Sequence, residues 1–158
     1  LKVRSNLMLT ATSSDKIDLS SENKTEEFAL KIIKKLKIGD IVFLNGEMGV
    51  GKTTFVKYLI NNLQKEKKLI KTEVTSPTFN LLNEYQIKEI KINHYDLFRL
   101  KKTEELMNLG LFENSLDRIT LIEWPQLIKK KPENLIELTF KYEDDHKKRS
   151  VQVRGLIL

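Results

Sequence analysis

The run Gly46-Glu47-Met48-Gly49-Val50-Gly51-Lys52-Thr53 constrains this chain more than any other stretch. It matches G-x-x-x-x-G-K-[ST], the phosphate-binding loop pattern. Ile41-Val42-Phe43-Leu44 precedes it, an apolar, β-rich run between Asp40 and Asn45. Phe55, Val56, Leu59, Ile60 and Leu63 follow at helical spacing. The pattern therefore joins a buried strand to the first turn of a helix, as its chemistry requires. Glycines let the backbone turn tightly and aim several N–H groups at one point. The helix N-terminus adds unpaired donors and a partial positive charge. Lys52 supplies a point charge for β- and γ-phosphates, and the Thr53 hydroxyl is placed to ligate Mg²⁺. Tri- or diphosphate binding on an α/β fold is the expectation.

What the phosphate is used for must come from the rest of the chain. Its 158 residues fit one domain with a sizeable core. The net charge of +6 comes mostly from scattered lysines. Short runs such as Lys129-Lys130-Lys131 read as solvated faces rather than nucleic-acid tracks. The chain has no cysteine, which excludes disulfides and thiolate metal sites and fits a reducing compartment. No apolar run approaches the ~20 residues of a membrane span. Residues 1–16 are expected to form an irregular extension, with Met8 as an alternative start and the folded domain over 17–158.

Ile17-Asp18-Leu19 reads as a short edge strand. A helix is expected to start within 20–24 under Ser and Thr caps, with Glu26 and Glu27 in its first turn. Phe28, Ala29, Ile32, Ile33 and Leu36 form its apolar stripe, and Gly39 its stop. Thr25 has two readings, a cap or a nucleotide contact. The helix after the loop is expected to end near Leu63. Ser76-Pro77 breaks any strand there, because proline cannot donate to a ladder. Residues 79–85 and 89–95 read as a hairpin, which implies an antiparallel pair in a mixed sheet.

The hairpin ends in Asn93-His94-Tyr95-Asp96-Leu97-Phe98-Arg99-Leu100. A carboxylate at a strand's C-terminal end beside a phosphate loop suits metal or water positioning, so Asp96 is a catalytic candidate. His94 is open between a structural and a catalytic or switch role, and Arg99 between a phosphate contact and a surface ion pair. Residues 103–110 read as a capped helix stopped by Gly110. Ile119-Thr120-Leu121-Ile122 is another buried strand, running into Glu123-Trp124-Pro125. Glu123 is the second candidate for Mg²⁺ or its water shell. Trp124 is either a core plug or an exposed anchor for a partner. Residues 135–142 and 150–156 read as a closing hairpin.

The loop, the Ser76-Pro77-Thr78-Phe79 segment, the His94-x-Asp96-Leu97-x-Arg99-Leu100 strand end and the Glu123-Trp124 pair, in that order, resemble the TsaE (YjeE-type) family of bacterial tRNA threonylcarbamoyladenosine biosynthesis ATPases. The resemblance spans about 20–156. It implies a P-loop NTPase three-layer fold with a mixed, mostly parallel central sheet. It implies slow, Mg²⁺-dependent ATP hydrolysis in a bacterial cytoplasm, in support of the TsaB–TsaD pair, with tRNA met only through that complex. By the same resemblance, the nucleotide-binding set is Thr25, Glu47, Met48, Gly49, Val50, Gly51, Lys52, Thr53, Thr54 and Arg149. Thr53 and Glu123 hold Mg²⁺. Lys52, Asp96 and Glu123 are catalytic. Thr78 acts as a switch near the γ-phosphate, and Trp124 serves partner communication. The departures are the N-terminal extension, Phe98 where the family often has Tyr, and an end at Leu158.

Two other classes compete. A small-molecule or nucleoside kinase needs an acceptor pocket and an arginine-bearing lid, and no arginine-rich insertion lies between Lys101 and Thr120. A nucleotide-gated binding module needs ATP only to order 76–79 for a partner. A GTPase is disfavoured, since no N-K-x-D follows the loop.

Overall fold

A computed structural model describes residues 15–158. The expectations for 1–14, Met8 included, lie outside the described residues. The elements are β1 (Ile17–Asp18), α1 (Glu22–Lys35), β2 (Ile41–Asn45), α2 (Lys52–Glu66), β3 (Leu82–Ile87), β4 (Ile90–Asp96), α3 (Thr103–Leu109), β5 (Ile119–Glu123), β6 (Leu135–Glu143) and β7 (Lys148–Arg154). They build one seven-stranded sheet in the order β1-β7-β6-β2-β5-β4-β3. The centre is parallel, with β2 paired to both β5 and β6, and β4 paired to β5. Antiparallel pairs close both edges. The expected α/β fold with a mixed, mostly parallel sheet is what forms.

Alternation along β2 makes the fold three-layered. Val42 and Leu44 face α1 and α2, in a core with Phe28, Ile32, Phe55, Leu59 and Ile60. Ile41 and Phe43 face the other way, onto Leu106 of α3, Leu111 and Tyr95. All four β2 residues are 3% exposed or less, so the strand is apolar on both faces, as a central parallel strand must be. The same period of two puts Ile92 of β4 and Ile119 and Leu121 of β5 on the α1/α2 side. His94 and Asp96 follow Ile92 onto that face, and Glu123 follows Leu121.

Boundaries differ from the sequence reading where side chains intervene. The cap of α1 is Ser21, whose hydroxyl accepts from the Lys24 amide, and Glu22 rather than Glu26 and Glu27 occupies the first turn. The helix stops at Lys35, ahead of Gly39, because Asp40 draws the chain into a turn by accepting from the Lys37 amide at 2.7 Å. The first hairpin starts at Leu82, three residues late. Leu81 turns with a φ of 66°, its amide bonded to the Pro77 carbonyl at 2.6 Å. The closing hairpin is longer than expected, Leu135–Glu143 against Lys148–Arg154. Asp144, Asp145 and His146 all take positive φ in its turn.

Candidate functional site

The loop leaves the C-terminal end of β2 and enters α2, the Val50 amide turning back onto the Glu47 carbonyl at 3.3 Å. Gly51 caps α2 at a φ of 114°, and no side chain bonds the helix start. The first-turn N–H groups therefore lack the usual oxygen partner and suit an anion. Gly46 is needed for closeness as well as conformation. A Cβ there would lie 2.7 Å from the Phe140 carbonyl oxygen and 2.9 Å from Val50 Cγ1.

Above this turn lies a hollow of about 300 Å³, lined by Met48, Gly49, Gly51, Lys52, Thr53, Thr54, Ser76, Thr78, Asp96, Phe98, Glu123 and Trp124. The parallel register brings its carboxylates together, pairing Asp96 with Glu123 across β4 and β5. They are 3% and 2% exposed. Thr53 Oγ1 donates to Glu123 Oε1 at 3.0 Å. His94 Nε2 lies 2.8 Å from the same oxygen. Asp96 is otherwise occupied. Its Oδ2 accepts from Ser76 at 2.5 Å and Thr78 at 3.0 Å, and its Oδ1 from the Phe98 amide at 3.0 Å. The carboxylate thus anchors segment 76–79 to the strand end.

Lys52 is 4% exposed. Its ammonium donates to the carbonyls of Gly46 at 2.5 Å and Glu47 at 2.9 Å. Burial pushes its pKa below the ordinary 10.5, while the charges of Glu123, Asp96 and Glu47 pull it back up. It also lies over the Trp124 ring. Trp124 holds a left-handed backbone conformation, φ 57° and ψ 57°, an outlier for so large a residue.

A second hollow of about 190 Å³ meets the first at Gly51 and Thr54. Its lining includes Thr25, Val50, Arg149, Lys147 and His146. Thr25 and Arg149 therefore stand together, but beside this neighbouring hollow. Thr25 is no cap. Its hydroxyl donates back to the Ser21 carbonyl at 3.3 Å from within α1. The Glu47 side chain is exposed and lines neither hollow, so this residue contributes its carbonyl instead. Trp124 is neither core plug nor free anchor. Half-buried, it walls the first hollow against Phe98, ring centres 4.9 Å apart. Arg99 meets neither phosphate hollow nor acid: it bonds the Phe79 carbonyl at 3.4 Å and stacks on the Phe79 ring.

Sequence reasoning passed over Ser76 as a site residue and left the partner of His94 open. The signal for Ser76 was its place two residues before Thr78. The signal for His94 was its alternation with Asp96, which puts both on one face.

The hollow offers hard oxygen donors, a buried ammonium and unpaired amides, a set suited to a polyphosphate with a small divalent cation. Thr53 and Glu123 fit Mg²⁺, which takes few protein ligands and fills its octahedron with waters and phosphate oxygens. Among the described residues no cluster of three or more His, Cys, Asp or Glu forms a protein-only metal cage.

Comparison with known proteins gives one answer. The family profile for Threonylcarbamoyl adenosine biosynthesis protein TsaE matches residues 19–151. The tRNA threonylcarbamoyladenosine biosynthesis protein TsaE of Rickettsia bellii is 44% identical over 131 residues, covering 82% of this chain and 88% of that one. Its namesake from Borreliella burgdorferi is 38% identical over 129 residues, covering 79% and 90%. Among solved structures, the crystal structure of Bacillus subtilis YdiB superposes with a TM-score of 0.68 at 21% identity, covering 93% of this chain and 88% of that one, a likeness of fold.

Proposed function

Because the chain belongs to the TsaE family, with its role in tRNA threonylcarbamoyladenosine biosynthesis, we propose that it is a magnesium-dependent ATPase supporting the TsaB–TsaD pair. The observation that carries this reading is the meeting of Lys52, Thr53, Asp96 and Glu123 in one hollow at the uncapped start of α2.

The chain's own groups divide the work. The amides of 49–54 and the Lys52 ammonium grip the β- and γ-phosphates and stabilise charge as it develops on the leaving oxygen. Lys52 must first leave the Gly46 and Glu47 carbonyls. Thr53 and Glu123 would hold Mg²⁺, which would supply further neutralisation of the phosphate charge. Glu123 also orients the attacking water. Asp96 acts through Ser76 and Thr78, holding segment 76–79 at the hollow's rim where a γ-phosphate can meet it. Thr25 and Arg149 flank the part of the nucleotide beyond the phosphates.

With no arginine among the described residues at the phosphate hollow, the isolated chain should hydrolyse slowly, and a partner that completes the site should speed it. No helix among the described residues is long and apolar enough to cross a membrane, and the proposed setting is the bacterial cytoplasm.

Phosphate release from ATP, with Mg²⁺ or EDTA and with or without TsaB–TsaD, tests the proposal. Slow Mg²⁺-dependent release that rises with TsaB–TsaD is expected. A rate unchanged across partner concentrations overturns the partnership, and absent Mg²⁺-dependent release overturns the ATPase. One observation favours a second reading, a nucleotide-gated binding module. Segment 76–79 is tied to Asp96 by side-chain hydrogen bonds alone at Ser76 and Thr78, so a γ-phosphate can compete for them. Full biological activity in both Lys52→Ala and Glu123→Ala variants, with hydrolysis lost, would favour that module.

A further inference from the structure

His94 is fully buried in β4, and its Nε2 meets Glu123 Oε1 on neighbouring β5. A carboxylate oxygen can only accept, so Nε2 carries the proton. The other ring nitrogen, Nδ1, has no hydrogen-bond partner among the described residues. A buried polar atom left unpaired costs stability, and an aromatic hydrocarbon would fill the same space without that cost. What a hydrocarbon cannot do is hold Glu123. The same Oε1 accepts from the Thr53 hydroxyl, so one oxygen is fixed between the ring and the start of α2. Without the ring, only the Thr53 hydroxyl holds that oxygen, and the carboxylate is free to turn away from the start of α2.

We propose that His94 is a positioning residue that clamps Glu123 Oε1 beside Thr53. This rests on the reading of Glu123 as a magnesium- and water-orienting group. Hydrogen-bond partners of ligating carboxylates are worth about 10–100-fold in metal affinity or activity.

The test uses the whole chain, Mg²⁺ and ADP, with three substitutions. His94→Phe removes the donor. His94→Gln places an amide N–H near the Nε2 position, and His94→Asn carries one that falls short. The readouts are ADP affinity without metal, the Mg²⁺ concentration that half-saturates the gain in ADP affinity, and kcat and KM for ATP. His94→Phe and His94→Asn should leave metal-free ADP affinity within about twofold, raise the Mg²⁺ requirement about tenfold or more, and lower kcat with KM little changed. His94→Gln should restore most of both. In a Glu123→Ala background, His94→Phe should change the Mg²⁺ requirement by less than about twofold, since the pair acts as a unit.

A His94→Phe variant with the wild-type Mg²⁺ requirement and kcat, altered only in melting temperature, overturns the proposal. So does an undiminished effect in the Glu123→Ala background. Should His94→Phe fail to fold, the Gln and Asn variants decide, and equal behaviour of the two overturns it. A chain that binds ADP with Mg²⁺ but hydrolyses no ATP sinks the ATPase reading and leaves the binding readouts to judge His94.

Discussion

The Lys52 ammonium lies 4.1 Å from the centre of the Trp124 ring while it donates to the loop's own carbonyls. The group expected to grip phosphate is thus held by its own loop and by an aromatic face on the far wall of the hollow. A cation over an indole is attracted by the ring quadrupole, by about 1–2 kcal/mol where water is excluded. Phosphate offers a charge-assisted bond that is stronger. If the proposed nucleotide binds, it should draw Lys52 off Trp124, the only tryptophan in the chain. Intrinsic fluorescence should change on adding ADP or ATP with Mg²⁺, and the change should vanish in Lys52→Ala. An unaltered tryptophan spectrum at saturating nucleotide would contradict this exchange.

Burial lowers the Lys52 pKa, so its charge destabilises the folded chain at neutral pH. The sign follows from linkage. Below the depressed folded pKa, lysine is charged in both states and the folded state bears the full penalty. As pH climbs from there towards the ordinary 10.5, the folded state sheds its proton first and the penalty fades. Lys52→Met should melt at or above the wild-type temperature at pH 7 and lose that advantage at alkaline pH, while nucleotide affinity falls at least about a hundredfold. Thermal scans across pH, paired with ADP titration, check both halves.

Two glycines of the loop should respond differently to alanine. At Gly46 a Cβ collides with the Phe140 carbonyl and Val50, and φ is 145°. Gly46→Ala should cost about 2–3 kcal/mol in denaturant unfolding. At Gly51 nothing lies within 4 Å of a Cβ, and only the φ of 114° opposes the change. Gly51→Ala should cost about 1–2 kcal/mol. Equal losses at both positions would show that close approach of the backbone contributes nothing.

Asp96 gathers Ser76, Thr78 and the Phe98 amide on one carboxylate. Hydrogen bonds to a charged group contribute about 1.5–3 kcal/mol, so Asp96→Ala should lower stability by about 2–3 kcal/mol. The damage should be local first. Amide exchange over 76–81 should accelerate more than exchange in β2 or α2. Uniform acceleration across the chain would remove the anchoring role.

The phosphate loop, its flanking strand and helix, the two hairpins and the capped helix at 103–109 were all legible in the sequence, because each rests on contacts between near neighbours. Asp96 and Glu123 were legible as carboxylates at strand ends, while the shared face of His94 and Asp96 was not drawn from their alternation. Boundaries were missed where a local turn takes a backbone amide first: the Asp40 carboxylate takes that of Lys37 after α1, and the Pro77 carbonyl takes that of Leu81 before β3. Arg99 and Trp124 had open readings because their partners, Phe79 and Phe98, lie in segments far along the chain.

The sequence by itself determined that a glycine-rich turn would set Lys52 and Thr53 at a helix start, since glycine φ angles and 3.6-residue spacing are local properties. Only the tertiary structure decided which carboxylates would stand over them. Strand order and register are set by burying both faces of the sheet at once, and it is that register, β5 between β2 and β4, that brings Glu123 to Thr53, His94 to Glu123 and Trp124 to Lys52.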